Sequence, residues 1–142
     1  MTVKQLSVFV ENRPGRLSAI TKLLGDAGIN IRAMSIADTK DFGILRLIAD
    51  NAERALKVLK DESCSVTISN VLVLRITDRP GGLAEAMEVL YKDNISVEYM
   101  YAAFINTESN TACLVLRVDD NDKAITALEE KGYKLLSQNE LA

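Results

Sequence analysis

One short stretch of this chain occurs twice. Residues 12–17 read NRPGRL and residues 78–83 read DRPGGL, an offset of 66 positions. At that offset Leu6, Val8 and Val10 meet Leu72, Leu74 and Ile76. Leu24 meets Leu90, Ile29 meets Ile95 and Met34 meets Met100. Three extra residues near 105–111 lengthen the offset to 69, and Leu45, Leu47, Asp50 and Leu59 then meet Leu114, Leu116, Asp119 and Leu128. A repeat of about 70 residues is too long for one solenoid unit and suits a small domain. The 142 residues are therefore expected to form two homologous modules, 1–69 and 70–142.

Each module carries the same order of patterns. An alternating strand (Leu6, Val8, Val10; Leu72, Leu74, Ile76) runs into an Arg-Pro-Gly turn. Pro at the first helical position is favoured, because its missing N–H has no intrahelical partner there. The following helix has an apolar stripe at Leu17, Ile20, Leu24 and Ala27, matched by Leu83, Ala86 and Leu90. Gly28 and Asn94 suit a left-handed helix stop. Strands are expected near 29–37 and 43–49, then 95–104 and 111–118. Asp50 with Glu53, and Asp119 with Asp122, sit where a second helix should start, and the first pair is close to a capping box with Asp in place of Ser or Thr. That helix would bury Ala52, Ala55, Leu56 and Leu59, or Ala124, Ile125 and Leu128. Short strands near 65–69 and 133–137 close each copy. The order β-α-β-β-α-β, twice, is an α+β class. With right-handed crossovers each copy becomes a ferredoxin-like module, an antiparallel sheet with both helices on one face.

The helix-free face of such a sheet should read polar. By simple alternation it does not: Phe9, Met34, Ile36, Ile44 and Ile48 fall there in the first copy, and Val71, Val73, Met100, Ala102 and Phe104 in the second. Apolar surface of that kind needs cover, from the other module or from a second chain.

Composition narrows the chemistry. The chain has 17 basic and 20 acidic residues, net −3, which argues against a broad nucleic-acid footprint. There is no His, so neither a His-ligated metal nor a His general base is available. Cys64 and Cys113 are far apart and read as reduced thiols. No apolar run approaches a membrane span of about 20 residues. The opening MTVKQLSVFVEN lacks the pattern of a signal peptide, so the cytoplasm is the expected location. Charge is split unevenly: residues 1–70 hold 10 basic and 8 acidic residues (+2), residues 71–142 hold 7 and 12 (−5).

The repeated turn has chemistry of its own. Pro14 lacks an N–H, but Gly15, Arg16 and Leu17 each present one in a first helical turn, where the helix dipole favours a carboxylate. Gly15 and Gly81 let another group approach the backbone. Asn12 and Asp78, at the mouth of the same junction, can accept from an ammonium group. Donors for a carboxylate beside an acceptor for an amine suit a free amino acid. The plainer reading, a turn followed by a helix cap, uses the same residues.

These residues resemble the ACT domain. The pattern Asn/Asp-Arg-Pro-Gly-x-Leu, a helix and then Gly28-Ile29-Asn30-Ile31 carries the likeness, and two such modules span essentially the whole chain. The second copy departs at Asn94-Ile95-Ser96-Val97. The resemblance implies a non-catalytic regulatory protein with no cofactor and no metal. It implies a free amino acid, or a similar small ligand, bound at an interface between modules. The loop of one would face the second strand of its neighbour. Carried over, the ligand-binding positions are Asn12, Arg13, Pro14, Gly15, Arg16 and Leu17 with Asn30 and Ile31. In the second copy they are Asp78, Arg79, Pro80, Gly81, Gly82 and Leu83 with Ser96 and Val97. A homodimer is implied, with allosteric control of a metabolic enzyme on a separate chain.

Three rival functions have weaker support. An enzyme needs a nucleophile–base pair or a metal cluster, and the densest acidic group, Asp119, Asp120 and Asp122, reads as helix capping. An RNA-binding sheet needs exposed stacking aromatics, and aromatics are 5% of this chain, so no nucleic-acid partner is expected, nor a membrane. An assembly module that oligomerises without a ligand is the serious alternative.

Overall fold

The computed structural model describes residues 1–38, 41–105 and 108–142. Asn106 and Thr107, inside the extra segment near 105–111, lie outside the described residues. The chain divides into two compact units, Lys4–Ser69 with Ala142 and Asn70–Leu141 with Met1–Val3.

The first unit runs β1 (Val3–Glu11), α1 (Arg16–Asp26), β2 (Ile31–Asp38), β3 (Phe42–Ala49), α2 (Ala52–Asp61) and the start of β4 (Val66–Thr77). Its strand order is β4-β1-β3-β2, with β3 antiparallel to both β1 and β2. The second unit takes the rest of β4 as its first strand. It continues with α3 (Gly82–Lys92), β5 (Val97–Ala103), β6 (Thr111–Val118), α4 (Asn121–Glu130), β7 (Lys134–Leu135) and a 3₁₀ turn, Gln138–Leu141. Its order is β7-β4-β6-β5, antiparallel throughout. Both units are the ferredoxin-like arrangement. The expected closing strand of the first copy does not stop near residue 69, because no Gly or Pro interrupts Val66–Thr77 and it continues as a single strand.

Each helical layer is packed by the expected stripes. Ile20 and Leu24 of α1 and Ala52, Ala55 and Leu59 of α2 cover Leu6, Val8, Leu45 and Leu47. Ala86 and Leu90 with Ala124, Ala127 and Leu128 do the same over Leu72, Leu74 and Leu116. Each fully buried leucine contributes about 1.5–3 kcal/mol. Leu17 and Leu83, at the heads of their stripes, stay 36% and 37% exposed and are not core.

Strand parity departs from simple alternation, for the same reason in both copies. The register of β2 shifts at an irregularity between Ile31 and Ala33, and that of β5 between Val97 and Tyr99. A bulge residue reverses every side chain after it. Met34 and Ile36 therefore pair with Leu47 and Leu45 and belong to the helix side. Met100 and Ala102 pair with Leu116 and Leu114 and do likewise. Ala33, Tyr99 and Tyr101 take the helix-free face instead, where the two tyrosine rings stack with centroids 6.5 Å apart.

The helix starts also differ from expectation. Asp50 and Glu53 form no capping box: the N-cap of α2 is Asn51, whose side chain accepts the Arg54 N–H at 3.1 Å. Asp120 caps α4 through the Lys123 N–H at 3.1 Å. Asp50 instead clasps the start of β2. Its carboxylate accepts the Asn30 N–H at 3.1 Å, and its own N–H donates to the Asn30 carbonyl at 3.0 Å. Asp119 holds Ser96 in the same two ways, both at 3.1 Å. Glu53 pairs with Lys4, which holds its carboxyl below the ordinary range. Gly28 (φ 73°) and Asn94 (φ 56°) do provide the left-handed stops.

Candidate functional site

The repeated motif folds the same way twice. Gly15 has φ 88° and ψ −15°, and the Arg16 N–H closes onto the Arg13 carbonyl at 3.4 Å. Gly81 has φ 83° and ψ −8°, and the Gly82 N–H closes onto the Arg79 carbonyl at 2.9 Å. These are Pro-Gly turns of type II geometry, with glycine where φ must be positive. Pro14 and Pro80 are thus corner residues, and the helices begin at Arg16 and Gly82 rather than at proline. The backbone of each loop is pinned to the neighbouring hairpin: Asn12 N–H donates to Asp41 O at 3.2 Å, and Asp78 N–H to Asn110 O at 2.7 Å.

Of the expected free amides, those of Arg16 and Gly82 are engaged by the turn itself. No side chain caps α1 or α3, whereas α2 and α4 each carry a side-chain cap. Asn12 and Asp78 therefore do not act as caps. The first turn of α1 keeps donors and a positive dipole end that no acidic side chain answers, whereas that of α3 carries Glu85.

In the first module this junction opens into a pocket of about 170 Å³. Asn12, Arg13, Arg16 and Leu17 line it, together with Val10 and, from the β2–β3 side, Ile36, Asp38 and Gly43. Pro14 and Gly15 shape the turn and are not among the walls. Ile36 and Asp38 escaped the sequence reading, because the bulge that turns Ile36 to the helix side leaves no mark in an alternating pattern. At about 30 Å³ per liquid water the pocket has the volume of roughly six waters, the scale of a small metabolite. Its chemistry is mixed. Arg13 Nε is paired with Glu11 at 2.9 Å, an exposed contact. Arg16 Nε is buried and has no acceptor. Asp38 is exposed on the opposite wall.

The second loop is chemically closed. Arg79 Nη2 donates to both Glu85 carboxylate oxygens at 2.7 Å, which raises the arginine pKa further. The position of Glu85 is Ala19 in the first copy. Gly82 stands where the first copy has Arg16, and a Cβ built on it would lie 2.1 Å from the Thr77 carbonyl oxygen. Asp38 is replaced by Phe104.

The strand-start positions are not brought to these loops within a module. Ile31 pairs with Ala49 while Asp38 pairs with Gly43, so Asn30 and Ile31 lie at the opposite end of the sheet from Asn12–Leu17. The backbone groups of Asn30 and Ser96 are engaged by Asp50 and Asp119. Ile31 and Val97 pack against the helix-side cores. No helix among the described residues is long and apolar enough to cross a membrane.

Residues 1–142 match the model of a family described as an ACT domain pair. No curated protein matches the chain. Among solved structures, protein BT0572 from Bacteroides thetaiotaomicron is 39% identical, with a TM-score of 0.92 over 99% of this chain and 96% of that one. The ligand-free regulatory subunit of aspartate kinase from Thermus thermophilus shares the fold at 13% identity, TM-score 0.67, over 91% and 92% of the two chains. The corresponding subunit from Thermus flavus does so at 12% identity, TM-score 0.61, over 89% and 90%.

Proposed function

This chain belongs to the ACT domain pair family, and from that premise we propose that it is a non-catalytic regulatory protein that binds one free amino acid at the β1–α1 loop of its first module. The observation that carries this reading is Arg16: a guanidinium Nε buried beside a pocket, with no acceptor of its own, at a helix start that no side chain caps. A carboxylate suits that corner, and hydrogen bonds to charged groups contribute about 1.5–3 kcal/mol. Asp38 and the Asn12 side chain offer the ammonium its acceptors, and Val10, Leu17 and Ile36 give an aliphatic side chain an apolar wall. The second loop, Asp78–Leu83, serves as a scaffold, because Glu85 already occupies Arg79. Binding stabilises the ligand-competent state, and control follows as a coupling free energy passed to a partner. That two fold relatives are regulatory subunits of aspartate kinase supports a metabolic enzyme on a separate chain as the partner.

The test is a panel of the twenty amino acids in a thermal-shift assay, followed by calorimetry. A true ligand at about 100 times its Kd adds ~2.7 kcal/mol to stability. The expected stoichiometry is one per chain, with Arg16→Gln and Asp38→Asn each weakening binding about tenfold or more. A panel without a hit discards the amino acid and leaves ligand-free assembly as the function. Unchanged affinity in both variants moves the site away from this loop.

A further inference from the structure

The two modules carry a second pair of equivalent grooves, and a cluster of three cations lines only the second. In the second module the groove runs along β4 where β7 stops. It encloses about 290 Å³ and is lined by Arg75, Thr77, Thr111, Lys131, Tyr133 and Lys134 among others. At the same place in the first module lies a groove of about 230 Å³ bordered by Phe9, Glu11, Arg16, Phe42, Cys64 and Ser65 among others, where one cation faces one carboxylate. The repeat pairs these positions one to one. Phe9 becomes Arg75, Glu11 becomes Thr77, Phe42 becomes Thr111, Glu62 becomes Lys131 and Ser65 becomes Lys134. Each of these five changes removes an apolar or acidic group or adds a cation or a hydroxyl; in the other direction, Arg16 of the first groove is Gly82 in the second copy, and the balance still moves from one cation to three. It does so in the half of the chain whose net charge is −5, against the trend of its surroundings.

The cations come from different elements. Arg75 and Lys134 are direct cross-strand partners on β4 and β7, and Lys131 ends α4. Lys131 alone would be explained by the helix dipole, which favours a cation at that end. Like charges directly opposed across two strands are destabilising, and the dipole gives no reason for them. Their present partners are weak. Arg75 Nη1 lies 3.6 Å from Glu108, beyond a hydrogen bond, its guanidinium also rests against the Cys113 thiol, a poor acceptor, and its Nε is buried with no acceptor. Lys134 reaches Glu140 at 3.3 Å on an exposed rim. The backbone amides of Gly132 and Tyr133 are already engaged by Glu129 and Leu128, so recognition in this groove falls to side chains.

We propose that this groove of the second module is an anion site for a phosphate group, held by Arg75, Lys131 and Lys134 with the Thr77 and Tyr133 hydroxyls at its edge. The test titrates inorganic phosphate into the full chain at constant ionic strength and follows amide chemical shifts. The expected result is saturable movement centred on Thr77, Gly132 and Lys134, with acetate at the same ionic strength leaving them in place. Lys131→Glu with Lys134→Ser restores the residues of the first module at those positions, and should weaken phosphate binding about tenfold or more with the fold intact. Arg75→Gln should do the same. Three outcomes overturn the proposal: no saturable movement, movement that acetate reproduces, or movement that persists unchanged in the folded double variant.

Discussion

Gly82→Ala tests whether the two loops differ because of one carbon atom. In the second module a Cβ at residue 82 would meet the Thr77 carbonyl oxygen at 2.1 Å and its carbon at 3.3 Å. Relief requires the turn to open by about 1 Å, since carbon–oxygen contacts normally begin near ~3.3 Å. Overpacking of that kind costs about 1–3 kcal/mol. Opening also strains the 2.9 Å bond from Gly82 N–H to Arg79 O, a contribution of roughly 0.5–1.5 kcal/mol. Against this, alanine is favoured over glycine inside a helix by up to ~1 kcal/mol. The net loss is about 0.5–4.5 kcal/mol, or a melting temperature lower by roughly 2–15 °C for a chain of this size. The first module already shows the relaxed form: Arg16 carries a side chain there, and the matching bond is stretched to 3.4 Å. Urea unfolding of Gly82→Ala beside Gly81→Ala separates the causes. Gly81 has open space and only a positive φ, so its alanine variant should lose about 1 kcal/mol from backbone strain alone. A Gly82→Ala protein as stable as the parent would show that the narrow second loop is not set by that contact.

Asn51→Ala and Asp120→Ala should each cost about 1 kcal/mol in urea unfolding by removing a helix cap, and Asp50→Ala should cost a similar amount by releasing the Asn30 N–H at the start of β2. Glu85→Ala, which releases Arg79, should leave the urea midpoint close to that of the parent because the pair is exposed and screened; a clear drop would show that the clamp holds the loop together. Glu53 and Glu140 have folded-state pKa values held below the ordinary 4.5, by Lys4 and by the Ser137 backbone N–H respectively. Their stabilisation is complete above the unfolded pKa and is lost as pH falls through the lower folded value. The melting temperatures of Glu53→Gln and Glu140→Gln should therefore converge on that of the parent in acid and differ most above about pH 5.

The duplicated frame was legible because two diverged copies keep the same spacing: the strand from Leu6 to Val10, Ile20 and Leu24 of the α1 stripe and the left-handed Gly28 stand where the pattern put them, while Leu17 stays exposed and Pro14 turns the corner ahead of the helix. What was not legible came from single residues that break a period. One residue of bulge after Ile31 moved Met34 and Ile36 to the helix side, and with them a wall of the pocket. One residue of shift moved the α2 cap from Asp50 to Asn51 and released Asp50 for Asn30. Asn12 and the Gly15–Leu17 amides could be proposed from local chemistry, and Arg13 came only with the family resemblance. Asp38 and Gly43 arrive through a hairpin, and no local spacing links them to the loop.

Two grooves at matching addresses, one bordered by two phenylalanines with a single cation and one by three cations, sit on a single translated product. Their copy number is consequently locked at one to one, whatever the level of synthesis or degradation. Separate genes for two such modules would require matched expression to keep that ratio, whereas fusion makes the balance a property of the open reading frame.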